Sequence, residues 1–128
     1  VETFNLLGDI YVNEQLFELA RENYTHALRA APDTDGPRAV RAAQDLAARG
    51  ALEESSELIE RIEALATAGI DEEQRMAILK LRARIAMASG ASDEQVRILE
   101  EIVRLDPLDG EALLLLGQHF FREADYDQ

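Results

Sequence analysis

Apolar residues recur along this chain at three- and four-residue steps, as in Ile59, Ile62 and Leu65 or Ile78, Leu81 and Ile85. Such steps place side chains on one face of a helix. The β-branched residues occur singly inside these spacings, and no alternating run marks a strand. Gly, Pro, Asn, Asp and Ser interrupt the pattern near residues 12–15, 31–37, 49–51, 68–71, 89–93, 106–110 and 123–125. The pattern therefore predicts an all-α chain of about seven helices, each of roughly 11 to 18 residues. Turns of a few residues between them force successive helices to pack antiparallel, as helical hairpins. One helix is ambiguous in its facing: Leu79, Ala83 and Ala86 make one plausible inward face, and Ile78, Leu81 and Ile85 another.

A search for internal repeats turns this list of helices into an architecture. Residues 1–34 carry Phe4, Leu7, Gly8, Tyr11, Ala20, Tyr24, Ala27 and Pro32. This series resembles the tetratricopeptide repeat, whose pattern is W-x2-L-G-x2-Y, then A-x3-F, A and P. Phe4 replaces Trp and Tyr24 replaces Phe, so both substituted slots keep an aromatic ring. The types have packing reasons. Gly8 and Ala20 are small where the two helices of a hairpin cross, and Phe4, Leu7, Tyr11 and Tyr24 fill the space around that crossing. Pro32 and its restriction on Ala31 end the second helix.

Weaker copies follow in step. Ile102, Val103, Leu105, Asp106 and Pro107 resemble the end of a second helix, and Leu113, Leu116, Gly117 and Phe120 the start of a further repeat. Pro32 to Pro107 is 75 residues and Gly8 to Gly117 is 109, which are two and three periods of 34, each with the same excess of seven. Gly50 and Gly90, 40 apart, fall in the turns inside the second and third hairpins. Most of the excess then lies between Leu65 and Arg75, which predicts an insertion near residues 67–73. The second repeat departs furthest from the family, with Ser55 in place of Ala and Thr67 or Ala66 in place of Pro.

The resemblance implies a right-handed superhelical solenoid of antiparallel hairpins over residues 1–128, with repeats at about 1–34, 36–69, 76–109 and a truncated 110–128. The start at Val1 and the uncovered apolar side of Leu113 to Phe121 lead to the expectation of a piece cut from a longer array. That edge is also a candidate for self-association.

Charge narrows the partners. Thirteen Lys and Arg stand against 26 Asp and Glu, for a net charge of −13. Nucleic acid and anionic membranes both attract basic surfaces, so neither is expected as a general partner. No apolar run reaches the roughly 18 to 20 residues of a membrane span. The chain is expected to be soluble, in a cytoplasm or a bacterial periplasm.

Composition and motifs argue against catalysis. The absence of Cys removes thiolate chemistry from this segment. His26 and His119 lie in different repeats, and a zinc site wants three or four convergent ligands, so no metal or other cofactor is expected. Carboxylates such as Glu53, Glu54, Glu57 and Glu60 recur at the spacing of a solvated helix face, whereas acid–base catalysis needs a cleft and opposed pKa shifts. None of the common phosphate-loop, dinucleotide, zinc-protease or nucleophile-elbow motifs occurs. The chain is not expected to be an enzyme.

In members of the family, the inner faces of the first helices line a concave groove that binds peptides or extended protein segments. Projecting that face onto this chain selects Asn5, Asp9, Val12 and Asn13; then Val40, Gln44, Ala47 and Arg41; then Lys80, Arg84 and Met87; and last Leu114, Gln118, Phe121 and Arg122. Asn5, Asn13, Gln44 and Gln118 carry amides able both to donate to and accept from an extended backbone. Lys80, Arg84 and Arg122 predict a locally positive later half. Asp9 and Val40 depart from the Lys and Asn clamp with which some family members hold a C-terminal carboxylate. The resemblance therefore implies a non-catalytic scaffold binding another protein or peptide. Two alternatives are part of a bacterial envelope or secretion protein that holds a polysaccharide-modifying or export partner, and the regulatory arm of a fused enzyme. The acidic run from Glu53 to Glu73 offers a second surface, to a basic protein or cationic polymer.

Overall fold

The computed structural model describes residues 1–126, with side chains described as far as Phe121. Among the described residues there are seven α-helices and no strand: α1 (Glu2–Asn13), α2 (Phe17–Ala30), α3 (Gly36–Ala48), α4 (Leu52–Leu65), α5 (Glu72–Ala88), α6 (Ser92–Leu105) and α7 (Gly110–Tyr126). A single 3-10 turn, Thr67–Gly69, follows α4. The all-α architecture read from the spacing is the observed one.

The turns within the hairpins are built alike. Gln15, Gly50 and Gly90 have φ of 63°, 85° and 75°. Directly after each, a backbone N–H closes on a carbonyl five residues back: Leu16 to Tyr11 at 2.8 Å, Ala51 to Leu46 at 2.9 Å and Ala91 to Ala86 at 2.9 Å. This is the Schellman end of a helix, in which one left-handed residue reverses the chain and satisfies an otherwise orphaned carbonyl. The shared turn aligns the hairpins: residues of α3 lie 35 positions after their counterparts in α1, and those of α5 a further 40 on.

Where one array over the whole chain is expected, the contacts divide it into two compact units, Val1–Ile78 and Leu79–Gln128, with the division inside α5.

In the first unit α1 packs on α2 and α3 on α4, while α2 lies against both α3 and α4. Tyr24, Leu28, Leu46, Leu58, Ile59 and Ile62 are completely buried there. Each such side chain contributes about 1.5–3 kcal/mol relative to exposure. Ser55, where the family has Ala, is equally buried, and its hydroxyl donates to the Ala43 carbonyl at 2.7 Å. The 3-10 turn docks on the turn between α2 and α3: a Cβ on Gly69 would lie 2.8 Å from the Asp33 carbonyl oxygen, and one on Gly36 would lie 2.8 Å from Ile70 Cγ2. In the second unit α6 packs on α7, with Leu99, Ile102, Ala112 and Leu116 buried. The ambiguity in α5 resolves as neither face alone, since Ile78, Leu81, Ala83 and Ala86 are all buried.

Candidate interaction surface

The first hairpin is assembled around the residues that the repeat pattern singles out. Gly8, Ala20, Tyr24 and Ala27 are buried, and Phe4, Leu7, Tyr11 and Pro32 are partly so. The Phe4 ring also meets His26, with centroids 5.4 Å apart. In α7, Leu116 is buried, but Gly117 and Phe120 are exposed, as is Pro107 before it. Among the described residues no second helix packs on that side of α7, so the packing role assigned to Gly117 and Phe120 is unfilled there.

The groove residues divide into two groups. At the repeat position of Asn5 the side chains of the first three hairpins are buried or ion-paired, whereas Leu114 at that position in α7 is exposed. Asn5 is 8% exposed, and its Nδ2–H donates to Asp35 Oδ1 at 2.9 Å. Its counterpart Val40 is buried. The next counterpart, Lys80, places Nζ 2.7 Å from Asp109 Oδ2. Val12 and Ala47, one helical turn pair further along, are buried as well. Asn5 and Lys80 therefore hold the turn that leads into the next first helix, and neither presents a free amide or ammonium to a groove. The expectation of a positive later half changes accordingly, since Asp109, assisted by Glu111 and Asp106, compensates Lys80 and raises its pKa. The side chain of Arg122 lies outside the described residues.

The remaining residues face outward. Gln44, Arg84, Gln118 and Asn13 are exposed, and Asn13 Oδ1 accepts from Arg49 at 3.4 Å. Asp9 is half-exposed and held from two sides. Both its oxygens accept from Arg38 Nη2 at 2.6 Å, and Oδ1 also accepts from the Tyr24 hydroxyl at 2.6 Å. The Arg38 guanidinium stands 5.7 Å from the centre of the Tyr24 ring. Burial, together with the Asp9 carboxylate, pushes the Tyr24 phenol well above its usual range. Asp9 thus ties α1, α2 and α3 together.

Sequence reasoning did not select Leu6 and Ile10, which are 56% and 51% exposed and lie one turn apart on α1. The available signal was negative: neither belongs to the aromatic and small-residue series that builds the hairpin. In the second unit Phe121 is 70% exposed and Leu114 62%. With Leu113, Gly117 and Gln118 they line a shallow, open groove of about 590 Å3.

No group of three His, Asp or Glu side chains that could hold a metal ion occurs among the described residues. None of their helices is long and apolar enough to cross a membrane.

These features define a protein of antiparallel helical hairpins whose first helices carry exposed residues. Residues 1–34 match the tetratricopeptide repeat family model, the same span that carries Phe4 to Pro32. That repeat is a protein–protein interaction module, and its family is typically a non-catalytic scaffold. A comparison with curated proteins finds no match.

Proposed function

We propose that the chain is a non-catalytic scaffold that holds an extended segment of a partner protein against the exposed faces of its first helices. The observation that carries this reading is made in each unit by itself, at the repeat position of Asp9. In the first unit Asp9 and its counterpart Gln44 are polar, Gln44 is exposed, and the exposed Leu6, Ile10, Asn13 and Arg41 lie on the same two helices. In the second unit the counterparts Arg84 and Gln118 are exposed, with the exposed Met87 and Phe121 one turn further along. Side chains that donate and accept beside apolar anchors suit an extended backbone with its own side chains.

The test uses a photo-reactive residue at position 44 or at position 84, with position 60 on the outer helix as control, and then affinity measurements on the purified partner. Ile10→Asp with Gln44→Glu, or Arg84→Glu with Gln118→Ala, should weaken binding at least tenfold, while Glu60→Ala leaves it unchanged. A partner that crosslinks only at position 60, or whose affinity survives both pairs of groove changes, would remove the reading.

A further inference from the structure

Asn5 and Asp35 share one hydrogen bond, and each also carries one buried oxygen with no hydrogen-bond partner among the described residues: Asn5 Oδ1 and Asp35 Oδ2. Two acceptors stranded on two joined planar groups lack one proton between them. A carboxylic acid supplies it, because its O–H donates where a carboxylate only accepts. Leaving a buried polar atom unpaired costs about 1–3 kcal/mol, so a single proton that satisfies both oxygens weighs heavily in this site. We propose that Asp35 is held as a neutral carboxylic acid whose Oδ2–H donates to Asn5 Oδ1, closing an amide–acid pair that opens when the carboxyl ionises and releases its proton to solvent.

The surroundings agree with a neutral acid. Asp35 is 5% exposed. Burial raises its pKa against three opposing influences: the Asn5 hydrogen bond, the Arg38 guanidinium and the amino group of Val1. Arg38 is already engaged by both oxygens of Asp9 at 2.6 Å. The residues packed at the adjacent Gly36 are Ile70 and Gly69, which carry no charge.

The second unit builds the same junction the other way. Lys80 stands 75 positions after Asn5, the interval that separates Pro32 from Pro107, and Asp35 and Asp109 each directly precede the first residue of the following first helix. There the partner is a cation 2.7 Å away, and its hydrogen bond holds the Asp109 carboxyl below the usual range. One junction is thus a neutral pair that strengthens in acid, and the other an ion pair that weakens in acid.

Carboxyl-carbon NMR of the 128-residue chain tests this. The Asp35 signal should titrate above the ordinary value of about 3.9, and the Asn5 side-chain amide signals should move with the same midpoint. An Asp35 midpoint at or below that value, or Asn5 signals that do not follow it, would overturn the proposal. Asp35→Asn supplies a donor that cannot ionise. Its denaturation midpoint should match or exceed that of the parent at neutral pH, and should depend less on pH between 4 and 8. A variant that is less stable at neutral pH with an unchanged pH dependence would also overturn it.

Discussion

The Tyr24 ring occupies the space that a side chain on Gly8 would need: a Cβ there would lie 2.5 Å from Cε1 and 2.8 Å from Cδ1 and Cζ. Tyr24 is fully buried and its hydroxyl is tied to Asp9, so the ring cannot retreat. Gly8→Ala should destabilise the first unit by about 1–3 kcal/mol, the usual cost of overpacking, read as a lower urea midpoint. Gly117 holds the counterpart position in α7, where an added Cβ would meet no described atom within 4 Å. Gly117→Ala should be neutral or stabilising by up to about 1 kcal/mol through helix propensity.

Gln15 is the only non-glycine residue with positive φ among the described residues, and it does the work of Gly50 and Gly90 in the other hairpins. A left-handed conformation costs an L-residue roughly 1–2 kcal/mol. Gln15→Gly should raise the unfolding free energy by an amount of that order, seen as a higher denaturation midpoint with an unchanged slope against denaturant. A lower midpoint would show that the Gln15 side chain contributes more than its backbone costs.

Asp9 neutralises Arg38 and accepts from Tyr24, so Asp9→Ala should cost about 1.5–3 kcal/mol, the range for hydrogen bonds to charged groups. The same cluster predicts behaviour in alkali. The phenol pKa of Tyr24 is raised in the folded chain, so the folded form retains a proton that the unfolded form loses near pH 10. Its contribution to stability is complete below that pH and falls as pH rises toward the folded value. Ultraviolet titration should show one tyrosine that ionises only as the protein unfolds, and Tyr24→Phe should abolish that late step.

Asp109 has two partners, Lys80 through Oδ2 and the Ala112 backbone N–H at 3.0 Å through Oδ1. Asp109→Ala removes both the ion pair and the cap of α7, and should cost about 1–2 kcal/mol at neutral pH, mostly from the cap. The Lys80 side chain is 43% exposed, so its share is screened and should shrink with added salt. The Asp109 pKa lies below its ordinary value of 3.8, so its stabilisation is present above that value and disappears as pH falls through the depressed one. Parent and variant should therefore converge in strong acid, as measured by circular dichroism.

Much of the first hairpin was legible because its determinants are local. Gly8, Ala20, Tyr24 and Pro32 lie within one repeat: the helix period puts Ala20 and Tyr24 on one face of α2, and a short turn brings Gly8 of α1 opposite them. The candidate surface was only half legible. Gln44, Arg84 and Gln118 are exposed as the spacing implied, whereas Asn5 and Lys80 were projected into a groove and instead reach a turn about thirty residues on. Their partners Asp35 and Asp109 look in sequence like ordinary turn residues before Gly36 and Gly110. Leu6 and Ile10 belong neither to the packing series nor to the projected groove, and the structure leaves them exposed.

The sequence by itself determined the seven helices, the hairpin turns at Gln15, Gly50 and Gly90, and the aromatic and small-residue contact inside the first hairpin, because each depends on periodicity or on residues a few steps apart. Tertiary structure decided how each first helix is rotated about its axis. That rotation follows from stacking one hairpin on the next, which sets whether position five meets solvent or the following turn. It buried the unpaired oxygens of Asn5 and Asp35 and committed Lys80 to Asp109, and so left position nine to face outward.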